Sequence, residues 1–342
     1  MIQIAIIGAG TMGTIHVQSC RNLPNAMVTW VADEDGGRAA ALAQTCNARA
    51  TDDVRAALAA ADVDVVVVTV PTPFHRIITE GAAAHGKHVF CEKPIARTLA
   101  DARAMVAACD RADVLLTVGH VVRFFPEYLR IHALLAEDAV GTVGVVRAAR
   151  LNANPALARP WYGNCDWSGG VIVDLMIHDL DTLRWYFGEV DRVYARGLSG
   201  TAPHPAGDYA LAVLRFANGV IAHVEASWAH ANFRTSIEIA GSAGLLRHAS
   251  EESSAIRVEQ TAPQEDVAVA RVQVPSSPLP EGPYQTELRH FLTAVETGTP
   301  PVVTGEEAVR SLALALAVLQ STRTGRPVHA TDGVLQIAED TL

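Results

Sequence analysis

The chain has 342 residues, a length that fits two domains better than one. Hydrophobic residues make up 49% and charged residues 19%, with a positive mean hydropathy, which excludes intrinsic disorder and fibrous low-complexity sequence. Acidic residues outnumber Lys and Arg by 37 to 27, for a net charge of −10 without any basic block, so nucleic acid is not an expected partner.

No apolar run approaches the roughly 20 residues a bilayer-crossing helix needs, and residues 1–8 lack the basic start of a secretory leader. The expected compartment is the cytoplasm, with no membrane contact. The cysteines, Cys20, Cys46, Cys91, Cys109 and Cys165, are odd in number and form no C-x-x-C pair, so neither a disulfide framework nor a structural zinc site is expected. Only two of the 27 cationic positions are lysine, Lys87 and Lys93.

From residue 1 to about 120, short β-rich apolar runs alternate with Ala-rich helical stretches. Residues 2–7, 27–32, 63–70, 88–91 and 114–118 read as strands of a parallel sheet covered on both faces. The run Gly8-Ala9-Gly10-Thr11-Met12-Gly13 follows the first strand at once and opens a helix, so its amides and the helix dipole would face a pyrophosphate. A glycine-rich turn without a ligand is the alternative. Asp33 ends the second strand, where a carboxylate binds the adenosine ribose hydroxyls. Asp33, Glu34 and Asp35 would repel a 2′-phosphate and so favour NAD over NADP, a preference that Arg38 moderates. FAD uses the same fingerprint. Pro71, Thr72, Pro73 and His75 place either a nucleotide-facing loop or a plain proline turn at the carboxyl edge of the sheet.

Cys91-Glu92-Lys93-Pro94 ends another strand at that edge. The compact Lys93 ammonium could donate to a substrate hydroxyl there, or be a solvated surface charge. After about Arg123 the pattern changes to a helix, a strand over 143–151, a loop rich in Pro, Trp and Gly, and a helix over 170–187. Four-residue spacing puts Asp174 and His178 on one face of that helix. A carboxylate orients an imidazole and favours its charged form, a nearby ammonium opposes this, and the balance suits a general base near neutral pH. A solvated helix face is the alternative, as is a metal site with Asp181, for which no further ligand cluster is evident.

Strands follow. Asn218-Gly219 between 209–216 and 220–228 predicts a type I′ hairpin, and 233–240 with 245–248, joined through Gly241 and Gly244, a second. A loop over 275–283 then breaks the pattern. Two helices end the chain, the later one opened by the capping box Thr304-Gly305-Glu306-Glu307 and closed by Gly325.

Taken together, Gly8-x-Gly10-x-x-Gly13, Pro71-Thr72-x-x-His75, Glu92-Lys93-Pro94, Arg123-Phe124-Phe125-Pro126, Gly169-Gly170-x-x-x-Asp174-x-x-x-His178 and Tyr284-x-x-Glu287-x-x-x-Phe291 resemble the Gfo/Idh/MocA oxidoreductases over almost the whole chain. The resemblance implies an α/β protein. Residues 1–122 would form an NAD(P)-binding Rossmann domain with a doubly wound parallel sheet. Residues 123–342 would form a substrate-binding and oligomerisation α/β domain with an open, largely antiparallel mixed sheet. The substrate would lie between the domains, and sheet faces would pack in homodimers or homotetramers.

The resemblance also implies that Lys93 and His178 are the catalytic pair. His178 would take the hydroxyl proton as hydride leaves the same carbon, Lys93 would hydrogen-bond the oxygen, and Asp174 would orient the polyol or His178. Pro94 would fix the lysine's approach, through a cis peptide. Cofactor contacts would run through Gly8, Gly10, Thr11, Met12, Gly13, Asp33, Arg38, Pro71, Thr72, His75, Glu92 and Lys93. Arg123, Asn152, Asn154, Trp161 and Tyr284 lie in stretches resembling substrate-lining segments, although the two asparagines depart from the His of some inositol dehydrogenases. The expected activity is NAD-dependent oxidation of a secondary hydroxyl of a cyclic polyol or sugar, as in myo-inositol 2-dehydrogenases, with no metal. An NADP-linked sugar reductase, an NAD-requiring glycosidase and a non-catalytic dinucleotide-binding sensor are the alternatives.

Overall fold

In the computed structural model, which describes residues 1–198, 209–251 and 281–338, the β-branched runs of the first third are buried strands and the Ala-rich stretches are their covering helices. In order these are β1 (Ile2–Ile7), α1 (Thr11–Arg21), β2 (Ala26–Ala32), α2 (Gly36–Gln44), β3 (Arg49–Thr51), α3 (Val54–Ala59), β4 (Val65–Val68), α4 (His75–Ala84), β5 (His88–Glu92), α5 (Leu99–Arg111) and β6 (Leu116–Gly119). The strands pair in parallel in the order β3-β2-β1-β4-β5-β6. The order reverses between β1 and β4, and at such a switch point doubly wound folds bind ligands beyond the carboxyl ends of the strands. Two strands differ from expectation. β3 carries only Arg, Ala and Thr and so has no apolar signal, while β4 pairs over four valines rather than the whole of 63–70.

The remaining elements are α6 (Pro126–Ala136), β7 (Val143–Ala153), α7 (Cys165–Ser168), α8 (Ile177–Phe187), β8 (Val190–Leu198), β9 (Tyr209–Phe216), β10 (Ile221–Ser227), β11 (Ala229–Gly241), β12 (Gly244–Ala249), α9 (Pro283–Thr297), α10 (Gly305–Thr324), β13 (Val328–Thr331) and β14 (Val334–Leu335). The second sheet runs β12-β11-β7-β10-β9-β8-β13-β14, antiparallel except for β7 beside β10. Its β9–β10 hairpin is not type I′. Phe216 N donates to Val220 O and Gly219 N to Phe216 O, which makes a three-residue loop in which Gly219 alone has positive φ. Asn218 is held instead by its side chain, which donates to Phe187 O and accepts from Val220 N.

The chain forms two compact units, Met1–Phe125 with Pro275–Val309, and Pro126–Val274 with Arg310–Leu342. This differs from a single cut after residue 122. The cause is α9, whose buried Leu288, Phe291 and Leu292 join the core of β1, β2, β4 and α1. Thr117 on β6 also donates to Val303 O at 2.7 Å. Of the loop expected over 275–283, residues 275–280 lie outside the described residues.

Candidate active site

Two glycines of the first loop, Gly8 and Gly13, have a steric reason. Gly8 has φ +107°, and a Cβ there would stand 2.8 Å from the Thr69 carbonyl. A Cβ on Gly13 would meet Gly8 O at 2.0 Å, so this glycine lets α1 pack against the turn. A Cβ on Gly10 would meet nothing within 4 Å. Gly10 is the N-cap of α1, and no side chain caps that helix end. An open space at an uncapped, positively polarised terminus fits a pyrophosphate. Thr11 and Met12, both half-buried, form the first turn beside it.

Asp33 completes the cradle. Its Oδ2 accepts from Ala9 N at 2.7 Å, its Oδ1 accepts from Asp35 N at 2.9 Å, and Arg38 Nη2 lies 3.0 Å from Oδ1. The carboxylate therefore braces the glycine loop and holds an exposed guanidinium beside it. Thr69 was not singled out in the sequence, yet its Oγ1 donates to Gly8 O at 2.7 Å and ties β4 to the same loop.

Along Val89 to Ala96 every residue is buried except Lys93. The other lysine, Lys87, is a brace, donating to Ala60 O at 3.0 Å and Val63 O at 2.7 Å. The Lys93–Pro94 peptide is cis. Two residues expected at the cofactor point inward instead. Glu92 is buried, with Oε1 2.7 Å from Nε2 of the fully buried His16, whose partnership the sequence does not signal. His75 is 1% exposed, with Nδ1 3.0 Å from Pro94 O and Nε2 2.9 Å from Val70 O. Burial pushes its imidazole below the usual range, against the upward pull of these carbonyls and of Glu92. Thr72 is buried and Pro71 half-buried in the turn before it.

In the second unit, Gly169 and Gly170 both adopt positive φ and turn the chain into a π-helical segment over Ile172–Met176, which runs on into α8. Wide turns of this kind occur often at functional sites. From Val171 to Arg184 every residue is buried except Asp174 and His178. Asp179, adjoining His178, makes a buried two-pronged pair with Arg150 of β7 at 2.8 and 2.9 Å, a pairing that sequence reading missed. Asp181 is fully buried and accepts from Ser311, so it is not open to a metal. Among the described residues no group of three or more His, Cys, Asp or Glu is placed to hold a metal ion.

The expected substrate contacts divide. Arg123 is 2% exposed and pairs with Glu307 of α10 at 3.2 Å, so a local ion pair occupies it. Glu307 N in turn donates to Thr304 Oγ1, the forward bond of the capping box. Asn152 accepts from its neighbour Ala153 N. Asn154 caps the following turn through Ala156 N, and its buried Nδ2 has no partner among the described residues. Trp161 stacks on Tyr162 at 3.9 Å, and Tyr284 lies in the first unit, edge-on to His16 at 6.4 Å.

Residues 2–120 match the family model described as an oxidoreductase family with an NAD-binding Rossmann fold, and residues 128–247 match the GFO/IDH/MocA C-terminal domain. The chain is 31% identical to a D-apiose dehydrogenase of Paraburkholderia graminis, covering 95% of this chain and 88% of that one. It is 30% identical to the myo-inositol 2-dehydrogenase of Thermotoga maritima, covering 96% and 98%. Among solved structures, GenD2 from gentamicin A biosynthesis, in complex with NAD, superposes with a TM-score of 0.85 at 27% identity and 96% coverage of both chains. Matching both halves of the family's architecture and related along its length to its dehydrogenases, the chain belongs to the Gfo/Idh/MocA oxidoreductases.

Proposed function

We propose that the protein oxidises a secondary hydroxyl of a cyclic polyol or sugar to the ketone, with NAD as hydride acceptor. The observation that carries this reading is selective exposure. Lys93, Asp174 and His178 are the part-exposed residues of segments that are otherwise buried. Folding leaves a reactive-type group half open in such a stretch only against the tendency to exclude it from the core or pair it fully.

The Gly8–Gly13 loop, the uncapped start of α1 and Asp33 would hold the dinucleotide. NAD supplies a hydride-accepting nicotinamide when bound. His178 accepts the hydroxyl proton, Lys93 Nζ donates to the same oxygen as it becomes a carbonyl, and Asp174 orients the imidazole or a neighbouring hydroxyl. The unused Asn154 Nδ2 suits a polyol oxygen, and the stacked Trp161 suits an apolar sugar face. Five free thiols suit the reducing cytoplasm.

The test is a panel of inositols, pentoses, hexoses and amino sugars with NAD, followed by the absorbance of the reduced cofactor. Steady accumulation with at least one polyol is expected. A panel without turnover, or bond cleavage without net cofactor reduction, overturns the reading. Arg38 beside Asp33 favours a second reading, NADP use, and calorimetry decides it: NAD is expected to bind more tightly.

A further inference from the structure

We propose that two buried histidines, His16 and His75, are positioning residues that hold the main chain on either side of Lys93 and so set where its ammonium stands. The proposal rests on the reading of Lys93 as the group that donates to the substrate oxygen.

The need for such a device comes from the ladder. β5 pairs with β6 only as far as Glu92 opposite Gly119, so the strand pairing ends one residue before the lysine. A lysine side chain has four flexible torsions, and a loosely held backbone beneath it would spread its ammonium over several ångströms. Preorganised catalysis needs placement about ten times finer than that.

Two contacts replace the missing ladder. On the N-terminal side, His16 Nε2 meets Glu92 Oε1 at 2.7 Å. His16 is fully buried, with Phe90 edge-on at 4.9 Å fixing its ring, and it lies on α1 one turn beyond Gly13. On the C-terminal side, His75 Nδ1 meets Pro94 O at 3.0 Å. His75 opens α4, and its ring sits between the turn after β4 and the turn after β5, with Nε2 2.9 Å from Val70 O; the neutral ring has one N–H, which the proposal places on Nδ1, donating to Pro94 O. The residues before and after Lys93 are thus each tied through an imidazole to a helix that begins at the nucleotide-binding edge. Neither ring faces solvent or is open to a ligand, which separates this role from cofactor contact.

The two histidines use different ring nitrogens, and that makes the proposal testable. A glutamine amide nitrogen stands close to where Nε2 was, and an asparagine amide nitrogen close to where Nδ1 was. His16→Gln should therefore keep the bond to Glu92 and His16→Asn should lose it. For His75 the order reverses, since Asn keeps the bond to Pro94 O, whereas Gln puts its amide nitrogen beside Val70 O and leaves Pro94 O without it. A generic packing role would rank the substitutions by size, alike at both positions.

The chain's two lysines allow a direct readout without any substrate. Reductive [13C]methylation labels lysine amines, and Lys93→Arg assigns the Lys93 methyl resonance. In His16→Asn and His75→Gln that resonance should move toward the position of a free dimethyl-lysine, and in His16→Gln and His75→Asn it should stay near that of the parent. In unlabelled protein with NAD and myo-inositol, the two mismatched variants should lose on the order of tenfold to a hundredfold in kcat, with NAD affinity within about threefold. A Lys93 resonance that stays unmoved in the mismatched variants, or two isosteres that behave alike at either position, overturns the proposal. Failure of the catalytic reading shows separately, as a Lys93→Met enzyme that retains turnover.

Discussion

At the residue scale, a few imidazoles bear on both the proposed chemistry and the stability. Lys93→Met and His178→Ala should each lower kcat by at least about a hundredfold while NAD affinity stays within a few-fold, because the proposed function has both groups act on the alcohol and neither lies in the glycine loop; stopped-flow turnover and calorimetry check this. Other histidines report on acid stability. His88 Nδ1 accepts from Leu115 N, and His290 Nε2 accepts from Val302 N, so each needs a free lone pair in the native state. Burial holds His75, His88 and His290 below the ordinary imidazole value. In the unfolded chain these rings bind protons near pH 6.5, whereas in the native chain they resist until lower pH. Stability should therefore be full above that value and decline as pH falls through it, with a thermal midpoint several degrees lower at about pH 5.5 than at about pH 7.5 by calorimetric scan. Glu189, desolvated but held below the usual carboxylate range by Arg184 and Arg310, adds a loss of the same sign at still lower pH.

At the element scale, what the sequence disclosed depended on whether the cause was local. The glycine-rich loop after β1 was readable because Gly8 and Gly13 answer contacts made close to one strand–turn–helix, and so was the turn at Gly169-Gly170, two positive-φ residues before the π-helical segment. Asp174 and His178 were paired by assuming an even helical period. They do remain the open positions, but through a π-helical segment that the period does not encode. The inward roles of Glu92, His75 and Arg123 were not readable, because each partner, His16, Pro94 O or Glu307, comes from a distant part of the chain. The same is true of α9, whose apolar residues resemble those of any amphipathic helix until its place in the first core is known. Phe291 is 1% exposed and edge-on to Phe90 at 6.0 Å. Phe291→Ala should cost about 3–5 kcal/mol of unfolding free energy, read by urea titration, and should weaken NAD binding although the residue lies far from the glycine loop in sequence.

At the scale of the whole molecule, the second sheet has one side that carries exposed apolar residues among the described residues. Leu211 and Val213 of β9, Tyr194 of β8, Ile221 of β10 and Val145 of β7 are all exposed, each alternating with a buried residue on its strand. Register sets Val213 beside Tyr194 and Ile221 beside Val145, so the apolar side chains adjoin across strands. We propose a second copy of the chain as the cover, in keeping with the homo-oligomers the family resemblance implies. Light scattering should show a dimer or tetramer, and Val213→Asp with Ile221→Asp should shift it toward monomer; a monomeric parent protein sinks the proposal. The divided first unit has a further consequence, which falls in time rather than space. A ribosome making this polypeptide releases the entire parallel sheet long before it releases α9, so Ile4, Val17 and Phe90 wait with an unfinished hydrophobic surface until the first stretch of the second unit, residues 126–274, has been translated. Nascent chains stalled before residue 283 should therefore be the forms that chaperones hold and proteases cut.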